Sequence, residues 1–477
     1  MATPAKTEDN ANLRTEVLKG GRRLFFRQLA GVGVSLIGVL VLTRQIGPSS
    51  YGVYASAFGL TFFAQTMGEW SLDIYMVRRS GGLPLFVCHQ VFTLLILLAF
   101  ITTAVMLSLT STIASLVHLP DFSPVAFVMF ASIPLMHLQQ VPLSRRERGF
   151  DYGTIGVVEV LAQLTFFVVA LPLAVAGKGV WAPVGGWWAQ QLVLLAGFWI
   201  RDDYHPRFSW DFTLIKEIMT YGALTTCGTF VYSLRTLVIP LLAASTLGAA
   251  AVGFLSLAIR LVEQLAFARQ VMARLSFALV GRVVSDRQRL RRALTQGTEL
   301  QLLAVGVPLT LFALLAGPLV PLIFGQNWTP VATLVPLLAP AWLAIAAFSL
   351  QTAVLATRAR PWELIVSQGT STVLLWAGSL VLLSPYGVEG YAYAELIAMA
   401  SWLVGDVLMA RSFPRPRYGV AIGWWIALSA TALAPVVTWW LLLCLPVGFL
   451  LPPSLRELRP MLTILLSRSG LGSGAVT

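Results

Sequence analysis

Apolar residues run through this chain in long uninterrupted blocks separated by short polar punctuation, and the length of those blocks is the first informative pattern. A helix rising 1.5 Å per residue needs about 20 apolar residues to cross a hydrocarbon core of roughly 30 Å. Blocks of that length lie at 24–43, 51–68, 85–108, 122–143, 153–176 and 180–200. Beyond a polar stretch they recur at 219–243, 249–268, 300–324, 330–356, 363–384, 387–410 and 420–444. The pattern therefore predicts an all-α chain of thirteen membrane spans. The last belongs to a charge-free run over 419–453, interrupted by Pro435 and Pro446, which fits either one crossing or a fold back.

Composition agrees with lipid as the main solvent. Hydrophobic residues make up 57% and charged residues 11%, against roughly 45–50% and 25% in soluble domains. The 33 Lys and Arg exceed the 21 Asp and Glu, giving a formal charge of +12. In a soluble protein that excess would point to nucleic acid; here its placement decides. With the N-terminus in the cytoplasm, the tail and the loops after spans 2, 4, 6, 8, 10 and 12 collect the basic residues. Only Arg44 and Lys178 fall in the opposite loops. This is the positive-inside distribution of a polytopic protein, so no nucleic-acid partner is implied. The first span is too long for a removed signal peptide. Trp70, Trp181, Trp187, Trp188, Trp199, Trp328, Trp362 and Trp424 fall near span ends, where an interfacial aromatic belt is expected.

Several classes of chemistry are excluded. The three cysteines lie in or beside apolar blocks and the four histidines are scattered, so no disulfide framework, metal centre or cofactor is expected. No P-loop sequence occurs. The longest loop, 269–299, is short and basic, leaving no extramembrane domain for an enzyme that assembles glycans. A polytopic helical chain of this kind reads as a transporter.

The chain also repeats itself. Gly47-Pro48-Ser49-Ser50-Tyr51-Gly52 joins spans 1 and 2, and Gly248-Ala249-Ala250-Ala251-Val252-Gly253 joins spans 7 and 8, at an offset of 201 residues. Gly179-Val180 before span 6 recurs as Gly387-Val388 before span 12, at an offset of 208. Six spans per repeat is an even number, so the two repeats share one orientation, with a substrate path expected between them. The resulting organisation is a basic tail (1–23), an N-terminal lobe (24–200), a linker (201–218), a C-terminal lobe (219–410) and a hydrophobic C-terminal segment with its tail (411–477).

The segment Thr43-Arg44-Gln45-Ile46-Gly47-Pro48-Ser49-Ser50-Tyr51-Gly52-Val53-Tyr54 resembles the opening signature of bacterial O-antigen type polysaccharide flippases. These belong to the multidrug/oligosaccharidyl-lipid/polysaccharide superfamily. Phe324-Gly325-Gln326-Asn327-Trp328 and Tyr386-Gly387-Val388-Glu389-Gly390 are similar to two further motifs of that family, in order and position. The resemblance covers roughly residues 15–410. It implies two parallel-repeat six-helix lobes around a central cavity, in the bacterial inner membrane. It also implies a carrier of polyprenyl-diphosphate-linked oligosaccharide for O-antigen or exopolysaccharide synthesis, with membrane lipids and the polysaccharide polymerase machinery as partners. Relatives often carry an acidic residue in span 7 where this chain reads Leu234-Arg235-Thr236.

Charges inside spans are costly, about 2.5–3.5 kcal/mol each at a helix centre on insertion scales, and so mark candidate sites. Arg235 in span 7 and Arg260 in span 8 are candidates for binding a diphosphate, which suits the guanidinium fork; a pair with Glu263 is the alternative for Arg260. Arg27, at the start of span 1, is a third candidate, against the alternative of reaching for the interface. Glu395, Glu159, Glu69 and Asp73 are the ion-coupling candidates, and Asp406 is also deeply placed. Glu69 and Asp73, four apart on one helical face, form either an ion site or interfacial carboxylates facing Arg78 and Arg79. The amphipathic stretch 269–294 fits either a site for anionic head groups of lipid or substrate or a lobe-packing extension of span 8, and the prolines Pro134, Pro240, Pro308 and Pro336 either bend helices that move or set static kinks. A cation-coupled drug or metabolite antiporter of the same superfamily is the competing expectation, and a membrane-embedded glycan polymerase or ligase the third.

Overall fold

The computed structural model describes residues 38–79, 81–200, 202–266, 269, 287–356 and 361–446. Among them all regular structure is helical. Among the described residues eight helices are long and apolar enough to cross a membrane: Leu85–Val117, Phe122–Arg148, Tyr152–Val175, Phe212–Leu247, Arg287–Phe324, Gln326–Thr352, Trp362–Tyr386 and Val388–Ala410. Helix also covers 38–68, Trp181–Ile200 and Ala249–Leu265, where further spans are predicted. Large apolar side chains such as Phe100, Val168, Leu380 and Leu403 are exposed along these helices, as faces solvated by lipid must be.

Two boundaries depart from the sequence expectation. Helix Arg287–Phe324 starts well before residue 300, so part of the expected basic loop is a helical extension. It is seated by a small core in which Leu290 and Leu294 meet Leu350, Val354 and Met409. The run over 419–453 begins as helix Gly419–Leu433 and stops before Pro435, whose ring cannot continue the hydrogen-bond ladder. A 3-10 turn at Trp439–Leu443 follows, with Trp439 and Trp440 exposed. Residues past 446 lie outside the described set.

The chain forms two compact units, Met1–Gly253 and Phe254–Thr477. The boundary falls inside helix Ala249–Leu265, well beyond the polar stretch 201–218. Residues 202–211 of that stretch form no helix and are pinned to helix Leu85–Val117. Backbone N–H groups of Arg207, Ser209 and Asp211 donate to His89 Nδ1, Thr93 Oγ1 and Gln90 Oε1 at 3.3, 3.0 and 2.7 Å. Asp211 then caps helix Phe212–Thr236 by accepting from Thr213 N and Leu214 N. In the second unit Gln326–Thr352 is the core helix, 78% buried over its apolar window, against 22% for Trp362–Tyr386.

Span 4 is broken, and the breaks are repaired from span 6. Ser132 N reaches back to Met129 O rather than to Val128 O, and Pro142 has no N–H to offer Leu138 O. Both carbonyls would be orphaned in lipid. Trp188 Nε1 donates to Val128 O at 3.2 Å, and Trp199 Nε1 donates to Leu138 O at 3.0 Å. Trp187 Nε1 donates to Ser132 Oγ at 2.8 Å. These indoles, expected in an aromatic belt, spend their N–H groups inside the protein.

The duplicated turns meet each other within the first unit. Gly47 and Gly248 have φ values of +74° and +80°, which only glycine adopts without strain. Gly52 lies against the carbonyl of Ala249, and Gly253 against that of Pro48, so closely that a Cβ at either would overlap the oxygen. Gly52 and Gly253, and equally Pro48 and Ala249, are equivalent positions at the 201-residue offset. The contact is therefore self-complementary, as at a two-fold axis.

Two outcomes are expected. Trp199→Phe keeps an aromatic side chain but removes the indole N–H and orphans Leu138 O, lowering stability by about 1–3 kcal/mol; thermal unfolding in detergent measures it, and an unchanged midpoint would refute the repair. Gly52→Ala and Gly253→Ala should each destabilise by about 1–3 kcal/mol through overpacking, with similar magnitudes because the contacts are equivalent.

Candidate functional site

Helix Phe212–Thr236 carries Arg235 in its last turn, half-buried. Directly after it comes a π-helical turn, Val238–Ala243, containing the buried Pro240. Such turns interrupt the ladder and re-aim the side chains around them. Pro240 packs beside Gly59, with 3.4 Å from its Cγ to where a Cβ on that glycine would lie. Arg235 thus sits where the helix changes winding. Arg260 is also half-buried, on helix Ala249–Leu265, and belongs to the second unit. Arg27 lies outside the described residues.

The acidic candidates fall in different environments. Glu159 is exposed on helix Tyr152–Val175. Glu395, only 4% exposed, accepts from Tyr391 Oη at 2.8 Å within its own helix. Asp406 receives Tyr418 Oη at 2.7 Å and pairs with Arg415 at 3.1 Å, which ties it to a packing contact. Glu69 and Asp73 lie at a joint between helix 38–68 and helix Leu72–Arg78.

That joint is the most elaborate polar feature of the first unit. Trp70 and Ser71 have φ values of +50° and +53°. For non-glycine residues this costs of order 1–3 kcal/mol each and persists only where the surroundings impose it. Helix Phe212–Thr236 supplies the constraint. Trp70 Nε1 donates to Met219 O at 3.1 Å, Ser71 Oγ meets Thr226 Oγ1 at 3.0 Å, and Gly222 leaves room for the indole. Below it, Tyr75 Oη donates to Glu217 Oε1 at 2.7 Å and receives Arg79 at 2.8 Å. Burial and the Glu217 carboxylate push the Tyr75 phenol above its usual range.

Glu69 itself is 8% exposed, and its Oε1 accepts from both Gln65 Nε2 and Gln140 Nε2. Arg79 turns to Tyr75 instead, and Arg148 donates to the backbone carbonyls of Met76, Val77 and Arg79. Arg145 pairs with Asp202 at 3.2 Å, and Arg146 with Asp151 at 3.1 Å. The interfacial ion pairs expected for Glu69 are absent among the described residues. His137, fully buried, holds Nδ1 3.0 Å from Ile133 O, and its Nε2 turns toward the backbone at Gly68.

Sequence reading overlooked Gln65, Gln140 and His137, and the buried acids Glu299 and Glu363. Gln65 stands four residues before Glu69, so the helical period alone could have paired them. Gln140 and His137 come from another helix, and no local signal brings them there. Among the described residues no cluster of His, Cys, Asp and Glu could hold a metal ion.

Residues 41–333 match a family described as polysaccharide biosynthesis protein. The chain is 22% identical over 378 residues to the succinoglycan biosynthesis transport protein ExoT of Rhizobium meliloti (strain 1021), covering 78% of this chain and 74% of that one. It is 22% identical over 341 residues to the lipopolysaccharide biosynthesis protein WzxC of Escherichia coli (strain K12), covering 69% and 67%. Its fold is similar to that of the lipid II flippase MurJ in an inward closed conformation. The TM-score is 0.68 at 12% identity, over 93% of this chain and 98% of that one. It is also similar to an inward-facing multidrug resistance MATE family transporter of the MOP superfamily, with a TM-score of 0.60 at 16% identity over 80% and 94%. The all-α polytopic fold is thus shared with these two structures.

Proposed function

The chain belongs to the polysaccharide biosynthesis protein family, and from that membership we propose that it flips a polyprenyl-diphosphate-linked oligosaccharide across the bacterial inner membrane. It is a transporter rather than an enzyme, and the lipid it delivers supplies synthesis of a surface polysaccharide such as O-antigen or exopolysaccharide. The observation that carries this reading is the family match, which falls on a body of apolar helices.

The physical task has three parts. The sugar needs a hydrated path, because hydrocarbon offers its hydroxyls no hydrogen bonds. The diphosphate needs cations, and Arg235, Arg260 and Arg27 are the ones we assign to it; each guanidinium presents a fork that matches phosphate oxygens. The prenyl tail stays in lipid. Two six-helix halves, 24–200 and 219–410, joined through 201–218 and followed by 411–477, exchange access to the path between the leaflets. The N-terminus is cytoplasmic by the distribution of basic residues. The polysaccharide polymerase machinery consumes the delivered lipid, and Glu395, Glu159, Glu69 and Asp73 are the candidates for coupling transport to an ion.

Deleting the gene should cause lipid-linked oligosaccharide to accumulate in the cytoplasmic leaflet. No accumulation, with drug sensitivity raised instead, would transfer the reading to an antiporter. Arg235→Gln and Arg260→Gln should each slow flipping by about ten-fold or more without lowering protein level, as expected for losing a charged hydrogen bond of about 1.5–3 kcal/mol. An unchanged rate removes that arginine from the site.

A further inference from the structure

We infer that the stretch joining spans 6 and 7 is an interfacial anchor: residues 202–212 lie in the head-group layer of the membrane, and their partner is the lipid surface. On the orientation proposed above this is the cytoplasmic leaflet. The inference goes beyond the transport reading and does not depend on it. With three aspartates, two arginines, a lysine and a histidine over 201–218, the composition alone suggests an aqueous linker. Its backbone and its aromatic side chains are placed otherwise.

Span 3 sets the depth. In helix Leu85–Val117 the side chains of His89, Gln90 and Thr93 stand just before a run, Leu94 to Val117, that holds no charged residue. The N–H groups of Arg207, Asp211 and Ser209 end on these three side chains in turn. Thr93 lies eight positions beyond Leu85, or about 12 Å along the helix at 1.5 Å per residue. The stretch therefore runs alongside the span, at the edge of its apolar run, rather than past its end in water. A stretch without helix has no hydrogen-bond ladder of its own, and at that depth its N–H groups need acceptors. This accounts for Gln90, a fully buried polar side chain inside a span. Tyr204 seals the underside, buried in a core with Val87, Val91 and Ile218.

The outer side is an aromatic ridge. Phe208, Trp210 and Phe212, at alternate positions, are 78%, 53% and 75% exposed. Trp210 packs edge-on against Phe212 with ring centres 6.0 Å apart, and Phe208 lies 6.4 Å from Phe92 of span 3. The lipid-facing surface of the neighbouring spans leads up to this ridge, through Ile200 at the end of helix Trp181–Ile200 and Leu97 on span 3, both exposed. Amphipathic rings at such a border settle at the head-group level. Trp210 differs here from Trp187, Trp188 and Trp199, whose N–H groups are taken up inside the protein. Among the described residues no acceptor takes the Trp210 N–H, which is left to a lipid carbonyl or phosphate. Arg207 and Lys216 are exposed on either side, with Asp203, Asp211 and Glu217 nearby in sequence. The anchor thus rests on its rings rather than on an excess of positive charge.

Asp211 joins the anchor to the next span. Its N–H is held by Gln90, while its carboxylate caps helix Phe212–Thr236. The start of span 7 is thereby fixed against span 3 and against the lipid surface together, and the depth of everything further along that helix is measured from the ridge.

The test uses the full-length protein in phosphatidylethanolamine–phosphatidylglycerol liposomes, with Cys227 and Cys444 replaced by serine and the buried Cys88 retained. A nitroxide label is placed in turn at Phe208→Cys, Trp210→Cys and Phe212→Cys. Arg78→Cys, at an exposed helix end, is the aqueous reference, and Leu97→Cys the hydrocarbon reference. Oxygen concentrates in lipid and a nickel chelate in water, so their relative effects on label relaxation report depth. The three labels should fall between the references, several-fold less accessible to the chelate than the label at Arg78→Cys. Accessibility equal to that of Arg78→Cys overturns the anchor. Shielding from both reagents overturns it too, since protein would then cover the ridge. Gln90→Leu and Thr93→Val remove the acceptors of Asp211 N–H and Ser209 N–H, and each should move the label at Trp210→Cys toward the aqueous value. A depth unmoved by both overturns the part assigned to span 3. All these readouts are independent of whether the protein moves a lipid-linked oligosaccharide.

Discussion

Lipid offers the peptide backbone no hydrogen bonds, and the internal architecture of this protein follows from that constraint. A span may bend or break only where some other group takes up the freed carbonyl or N–H. Span 4 breaks near Ser132 and loses a donor at Pro142, and three tryptophans of helix Trp181–Ile200 close the account. The joint at Trp70 and Ser71 is instead held from outside, with the Trp70 indole bonded to Met219 O on helix Phe212–Thr236. In the second unit Trp425 Nε1 reaches Pro340 O at 3.0 Å. Irregularity is thus possible at membrane depth, but each case requires a neighbouring helix in a fixed register.

The same rule explains where polar chemistry can live. A continuous span presents only its side chains. A broken one exposes backbone, admits left-handed residues and brings amides from another helix close to a carboxyl group. Glu69 acquires its surroundings in this way: Gln65 comes from its own helix, Gln140 and His137 from the broken span 4, and the restraint on the joint from helix Phe212–Thr236. Arg235 stands at another interruption, the π-helical turn around Pro240.

What the sequence reveals unaided follows the range of the interactions involved. Spans are legible because twenty apolar residues in a row are a local fact, and the family resemblance is legible because its motifs are short turns. Those turns are structural. Gly325 caps the 3-10 turn that delivers the buried Trp328, and Gly390 lets Leu382 O approach closely. The tryptophans show where local reading fails: their placement near span ends suits an interfacial belt, while their N–H partners are about sixty positions away in sequence. Glu69 was recognisable as a charge near a span. Gln65 follows from the helical period, but Gln140 and the nearby His137 come from another helix, a pairing that no periodicity encodes.

The paired contact of Gly52 with Ala249 and Gly253 with Pro48 bears on the history of the gene. After a duplication, each copy drifts under its own selection. At the two glycines the contact leaves no room for a side chain, so Gly52 and Gly253 are the same residue, whereas Pro48 and Ala249 meet them through carbonyl oxygens and can differ. The six-residue echo in the sequence is therefore what a symmetric ancestor leaves behind: a fossil of its dyad, preserved because there was no room to change it.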